Sequence, residues 1–86
     1  MAAITLRPEV TAVDTGQTMV LLNQHTGRYW QLNATGALIL RALLRDGTPT
    51  TAAAALIRAH PQAAERADRD VDDLLTALRT HHLLSD

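Results

Sequence analysis

The residues with the most chemical potential are the acids of Asp68-Arg69-Asp70-Val71-Asp72-Asp73 and four histidines, His25, His60, His81 and His82. Closely spaced acids suggest a calcium loop, but an EF-hand needs Gly at its sixth position and a bidentate Glu at its twelfth. Counted from Asp68, those positions hold Asp73 and Arg79. The simpler reading is the first turn of a helix, where the dipole favours negative charge. His81 and His82 are adjacent, so on a helix they point about 100° apart and cannot face one metal together. With no Cys and no His-x-x-x-His pair, nothing completes a zinc site. Nucleophilic catalysis has as little support. Ser85 is the only Ser and stands in no Gly-x-Ser-x-Gly elbow. Gly16, Gly27, Gly36 and Gly47 are spaced singly rather than gathered into a phosphate-cradling loop. The residues argue against an enzyme, and no metal or other cofactor is expected.

The elements that would position these residues separate into two kinds. Val10-Thr11-Ala12-Val13 is a short β-rich run closed by the turn signal Asp14-Thr15-Gly16. Gln17 to Asn23 follows as a second strand. Gln24-His25-Thr26-Gly27 makes a hairpin loop in which the Gly can take a left-handed position. Arg28 to Leu32 completes a three-stranded meander. Asn33 then suits the N-cap of a helix over about 34–45, with Leu38, Ile39, Ala42 and Leu43 at helical spacing. Asp46-Gly47 ends it, and Thr48-Pro49-Thr50 opens an Ala-rich second helix running to about Ala59. His60-Pro61 closes that one. A third helix begins somewhere between Ala63 and Asp68 and runs to about His81, with Val71, Leu74, Leu75 and Leu78 at i, i+3, i+4 and i+7. Leu83-Leu84 pack as a tail. Strands first and helices after predict an α+β fold, a three-stranded antiparallel sheet followed by three helices, winged-helix-like.

Composition narrows the function classes. The 86 residues predict a single domain, with its core over about 10–84. Aromatic residues are 2% of the chain, so Leu, Val, Ile and Ala must build the core, and a shallow groove is easier to make than a deep pocket. Net charge is −1, and the eight basic residues are all Arg, scattered along the chain. Neither nucleic acid nor an anionic membrane is expected as a partner. A winged helix raises the alternative of a DNA-binding protein. Its third helix would enter the major groove N-terminus first, and there Asp68, Asp70, Asp72 and Asp73 would repel phosphate. The absence of Cys, of a signal peptide and of any apolar run near membrane-span length fits a cytoplasmic chain.

What remains is a groove between a strand and a helix. In the third strand Trp30 and Leu32 point to one face and Tyr29 and Gln31 to the other. In a meander this strand lies at an edge, offering unpaired N–H and C=O groups as a template for an added strand. On the third helix Val71, Leu74 and Leu78 are expected to face the core. The neighbouring stripe Asp68, Asp72, Leu75 and Arg79, mixed apolar and charged, would form the groove wall. The bland alternative is that Tyr29 and Trp30 only pack and that Arg28 blunts the edge.

One order of residues makes the groove reading sharper. Gly27-Arg28-Tyr29-Trp30-Gln31-Leu32-Asn33-Ala34-Thr35-Gly36, Leu38-Ile39-Leu40, Asp46-Gly47-Thr48, Asp70-Val71-Asp72-Asp73-Leu74-Leu75, Leu78 and Leu83-Leu84 together resemble the PqqD-like peptide-recognition domains, the RiPP recognition elements of peptide natural-product biosynthesis. The similarity spans about 17–84, and Leu-Asn-x-Thr-Gly before an apolar helix is its most specific piece. A free-standing chain of this composition looks most like the versions from lasso-peptide pathways. His82 stands where the family usually has a Gly before the closing Leu pair.

The resemblance implies non-catalytic binding of a precursor's leader by β-augmentation. The leader would add as a strand beside the third strand and lie against the third helix. Carried over, the peptide-binding residues are Arg28, Tyr29, Trp30, Gln31, Leu32, Asp68, Val71, Asp72, Leu75 and Arg79. Arg28 to Leu32 would supply backbone hydrogen bonds. Trp30, Leu32 and Leu75 would receive apolar leader side chains, and Asp68, Asp72 and Arg79 would meet polar or charged ones. The implied partners are the precursor leader peptide, a leader peptidase and a macrocycle-forming enzyme, the chain itself being a monomer. The alternative within the family is a partner of a radical SAM peptide-modifying enzyme.

Overall fold

The computed structural model describes residues 4–85, the side chain of Asp46 excepted. Strand β1 (Thr5–Leu6) precedes a meander of β2 (Val10–Asp14), β3 (Met19–Asn23) and β4 (Tyr29–Leu32). Helices α1 (Ala34–Asp46), α2 (Pro49–Ala59) and α3 (Ala67–Thr80) follow, and β5 (Leu84–Ser85) closes the chain. The expected α+β arrangement, with three antiparallel strands and then three helices, is the one found. The sheet order is β2-β3-β4.

Local chemistry explains the boundaries. In the β3–β4 loop the Asn23 side-chain Oδ1 accepts from the N–H groups of His25 (2.8 Å) and Thr26 (3.1 Å). Gly27 then takes φ 78°, a left-handed conformation that a side chain disfavours. Helix α1 starts where the Asn33 carboxamide accepts from the Gly36 N–H at 2.8 Å. It stops at Gly47, φ 78°, whose N–H reaches the Leu43 carbonyl at 2.7 Å. Thr48 caps α2 through the Thr51 N–H, with Pro49 at the first helical position, where a missing N–H costs nothing. A single 3₁₀ turn, Pro61–Ala63, leads into α3.

Leucines dominate the core. Leu21, Leu40 and Leu43 are fully buried, joined by Met19, Ile39, Leu56, Val71, Leu75, Leu78 and Leu83. Ala52 and Ala53 are also buried, and their small side chains let α2 approach α1 and α3 closely. On α3 the buried stripe is Ala67, Val71, Leu75 and Leu78. Two sequence-based expectations are corrected here. Leu75 belongs to the core, 4% exposed, rather than to the groove-wall stripe, and Leu74 is only half-buried beside it. The closing Leu pair is also more than a packed tail. Leu84 pairs with Leu6 and Ser85 with Thr5, an antiparallel contact between the two ends of the described chain. Such two-residue strands lie below any useful periodic signal.

His82 shows how α3 ends without glycine. The Leu83 N–H bonds the Leu78 carbonyl at 2.9 Å, and the His82 N–H bonds the Arg79 carbonyl at 3.0 Å. This double bridge is a Schellman motif, and it needs a left-handed residue between its arms. His82 supplies it at φ 56°. The apolar contact usual for the motif comes from Leu83 and Leu78, both buried.

Candidate functional site: an open strand edge flanked by two clefts

Strand β4 has one neighbour. It pairs with β3 in the register Met19↔Leu32, Val20↔Gln31, Leu21↔Trp30 and Leu22↔Tyr29, and nothing pairs with its other side among the described residues. Antiparallel pairs alternate between residues that exchange hydrogen bonds and residues that do not. The Asn23 N–H bonds the Arg28 carbonyl at 2.8 Å, which fixes the phase. Trp30 and Leu32 therefore direct their backbone groups toward β3, as the Arg28 carbonyl does, while the Arg28 N–H bonds Thr26 Oγ1 at 3.2 Å. Tyr29 and Gln31 direct theirs outward, two N–H donors and two carbonyl acceptors. Of the run Arg28 to Leu32 expected to offer a backbone ladder, these two residues carry it. The free edge ends at Asn33, whose carbonyl is taken by the Ala37 N–H of α1 at 2.8 Å.

Side chains alternate as the pleat requires. Tyr29 and Gln31 are exposed, whereas Trp30 and Leu32 are half-buried and pack against the core from the helix side. The Trp30 ring centroid lies 5.4 Å from that of His81, with the planes tilted by 45°, a favourable geometry for two rings. This contact brings the C-terminal end of α3 to the β4 edge.

Two open clefts flank the edge, one at each end. The first, about 430 Å³, is lined by Gly27, Arg28, Tyr29, Trp30 and His81. The second, about 330 Å³, is lined by Asn33, Thr35, Gly36, Ile39, Arg66, Asp70, Asp73 and Leu74. In this second cleft Arg66 Nε lies 3.4 Å from Asp70 Oδ2. Helix α3 therefore turns one flank of its buried stripe to these clefts, with Asp70 and Leu74 beside Asn33 at one end and, just past its last turn, His81 beside Trp30 at the other. Asp68, Asp72 and Arg79 line neither cleft. At 100° per residue they fall on the opposite flank. Val71 and Leu75 are buried beneath the groove rather than set along it. Of the residues expected at the site, Arg28, Tyr29 and Trp30 line the first cleft, and the clefts add Asp70, Asp73, Leu74 and His81, which were not among them. The only signal for them was that α3 has two mixed flanks.

Elsewhere, one electrostatic contact ties sheet to helix. Arg41 of α1 grips Asp14 at the end of β2 with Nε–Oδ2 2.7 Å and Nη2–Oδ1 2.9 Å. The Arg41 guanidinium, helped by the Gly16 N–H, holds the Asp14 carboxyl down at about 2. Among the described residues no three His, Asp or Glu side chains gather as a metal site, and no helix is long and apolar enough to cross a membrane.

Comparison with known proteins agrees with this architecture. The family described as coenzyme PQQ synthesis protein D (PqqD) matches residues 18–84. A solved structure of lasso peptide synthetase B1 complexed with the leader peptide is 36% identical, covering 99% of this chain and 100% of that one, with a TM-score of 0.86. TbiB1 in complex with the TbiA(beta) leader peptide is 27% identical over 94% of each chain, with a TM-score of 0.83. A search of curated proteins finds no match. The family pattern runs from the second strand of the meander to the closing leucines, and a relative over a third identical shares the fold along its whole length: the chain belongs to the PqqD family.

Proposed function

We propose that this chain binds the leader segment of a ribosomally made precursor peptide as an added strand along β4, and delivers it in the cytoplasm to a leader peptidase and a macrocycle-forming enzyme. The observation that carries the reading is the unpaired edge of β4, with the Tyr29 and Gln31 backbone groups directed outward. Two relatives solved with leader peptides support the choice of ligand. The chain's part is to hold an extended peptide, acting as a monomer with its edge open. Bond cleavage and ring closure fall to its partners.

Magnitudes say what the peptide must bring. Four ladder hydrogen bonds contribute about 2–6 kcal/mol net, while association and ordering cost about 4–15 kcal/mol. The edge alone does not hold a flexible peptide. Apolar side chains must also enter beside Trp30, Leu32 and Leu74, at about 25 cal/mol per Å² buried.

The test is titration with a synthetic leader of the precursor encoded beside this chain, followed by amide NMR and hydrogen exchange. Tyr29 and Gln31 should gain protection, with shifts extending to Leu74 and His81. Unaltered Tyr29 and Gln31 amides at saturating peptide would reject the reading.

A further inference from the structure

The cleft at the head of β4 has a chemistry that strand addition leaves unused. None of its lining residues, Gly27, Arg28, Tyr29, Trp30 and His81, is acidic. Arg28 is exposed and has no ion pair or side-chain hydrogen bond among the described residues. Arg41 and Arg66, by contrast, each face an aspartate. His81 is held in place twice, by the tilted contact of its ring with Trp30 and by its backbone N–H bond to the Ala77 carbonyl at 3.1 Å. Its ring nitrogens have no hydrogen-bond partner among the described residues. A guanidinium has five N–H donors and no acceptor, and an imidazole has at least one donor. The cleft therefore holds a guanidinium and an imidazole with no carboxylate side chain to meet them. At the opposite end of the edge the charge is reversed, with Asp70 and Asp73 against Arg66.

We propose that Arg28 and His81 are specificity-determining residues that select a peptide carrying a carboxylate side chain, Asp or Glu, where the added strand passes the Gly27 end of β4. The inference rests on the reading that a peptide pairs with β4, and it names one side chain that this peptide must carry. On the helix-facing side of an added strand, residues opposite Arg28 and Trp30 project toward the same cleft. A carboxylate there accepts from the guanidinium in the planar, two-pronged geometry that Arg favours. The ordered, aromatic wall of Trp30 and His81 limits its freedom.

The experiment is affinity selection from a positional library of blocked dodecapeptides, acetylated and amidated so that no terminal carboxylate competes. Selected peptides are mapped by amide shifts. The wild-type chain should enrich Asp or Glu at one position, and changing that residue to Asn or Gln should weaken binding about three- to five-fold, the range of a partly exposed ion pair. The loss should shrink as salt is raised. Arg28→Glu should turn the preference toward Lys or Arg, and His81→Ala should weaken the acidic preference while circular dichroism stays unchanged. Peptides that move the Tyr29 and Gln31 amides without any acidic preference, or with one that Arg28→Glu leaves intact, would overturn this assignment and leave strand addition standing. If no peptide moves those amides, strand addition falls and this assignment with it.

Discussion

His82 holds φ 56° because the Schellman bridge at the end of α3 demands a left-handed residue there. For an L-residue that conformation costs about 1–2 kcal/mol, part of which a glycine would return as unfolded-state entropy. His82→Gly should therefore stabilise the fold by about 1 kcal/mol, and a domain of this size gains about 4–8 °C in Tm for it. His82→Ala should bring no such gain, so paired thermal melts separate backbone relief from loss of the imidazole. Asp14 makes a second residue-scale prediction. Its folded pKa, about 2, lies well below the usual carboxylate range. A depressed carboxylate contributes stability that is present above its unfolded pKa and lost as pH falls through the folded one. Wild type should exceed Asp14→Asn in urea midpoint at neutral pH, and the two should converge between about pH 4 and 2. Convergence at higher pH would assign the acid sensitivity elsewhere.

Among the elements, β4 is the one left open, and its sequence lacks the usual protection. Natural edge strands carry charges, prolines or bulges that discourage pairing. Tyr29-Trp30-Gln31-Leu32 has none of these, and the nearest charge, Arg28, lies just outside the strand. The phase of the ladder turns this into a test. Because the Gln31 N–H faces outward, Gln31→Pro removes no bond of the fold, and edge strands tolerate proline on that side. Trp30, just before it, is already extended, as the residue preceding proline prefers. The variant should keep its circular dichroism spectrum yet bind leader peptide at least tenfold more weakly, a loss of about 1.4 kcal/mol or more. Undiminished binding would mean that the peptide does not add along β4. The cap that ends this edge is also measurable. Asn33→Ala deletes the bond to the Gly36 N–H and should cost about 1 kcal/mol in chemical denaturation.

At the scale of the whole molecule, the two ends of the described chain meet. Arg7 N–H bonds the Leu83 carbonyl at 2.9 Å and Arg7 Nε reaches the Leu84 carbonyl at 3.2 Å, beside the β1–β5 pair. Leu83 and Leu84 are buried against the same core as Leu21 and Leu40. Leu83→Ala leaves a cavity that costs about 2–5 kcal/mol, a large part of the total stability of about 4–13 kcal/mol expected for this length. Equilibrium unfolding should show that drop. A loss under 1 kcal/mol would mean that the closing leucines add little to the core. The outward backbone groups of Tyr29 and Gln31 do not depend on the Leu83 side chain, so peptide binding at saturating concentration should survive in the folded fraction.

Much of this protein was legible in the residue order, because its signals are local. Asn33, Gly47, Thr48 and Pro49 mark helix ends through hydrogen bonds within a few residues of themselves, and Gly27 marks the turn into β4 by its conformation. Alternation in Tyr29-Trp30-Gln31-Leu32 told which side chains face the helices, and a meander left that strand at the edge. The fold class and the family followed from these. Tertiary structure alone decided which flank of α3 meets the edge. Helical period makes Asp68, Asp72 and Arg79 equivalent to Asp70, Leu74 and His81 about the same buried stripe, and only the direction in which α3 crosses the sheet breaks that symmetry. The same crossing sank Leu75 and left Leu74 at the groove, and it brought His81 to Trp30. Distances across the chain of this kind have no local cause, so no local pattern records them.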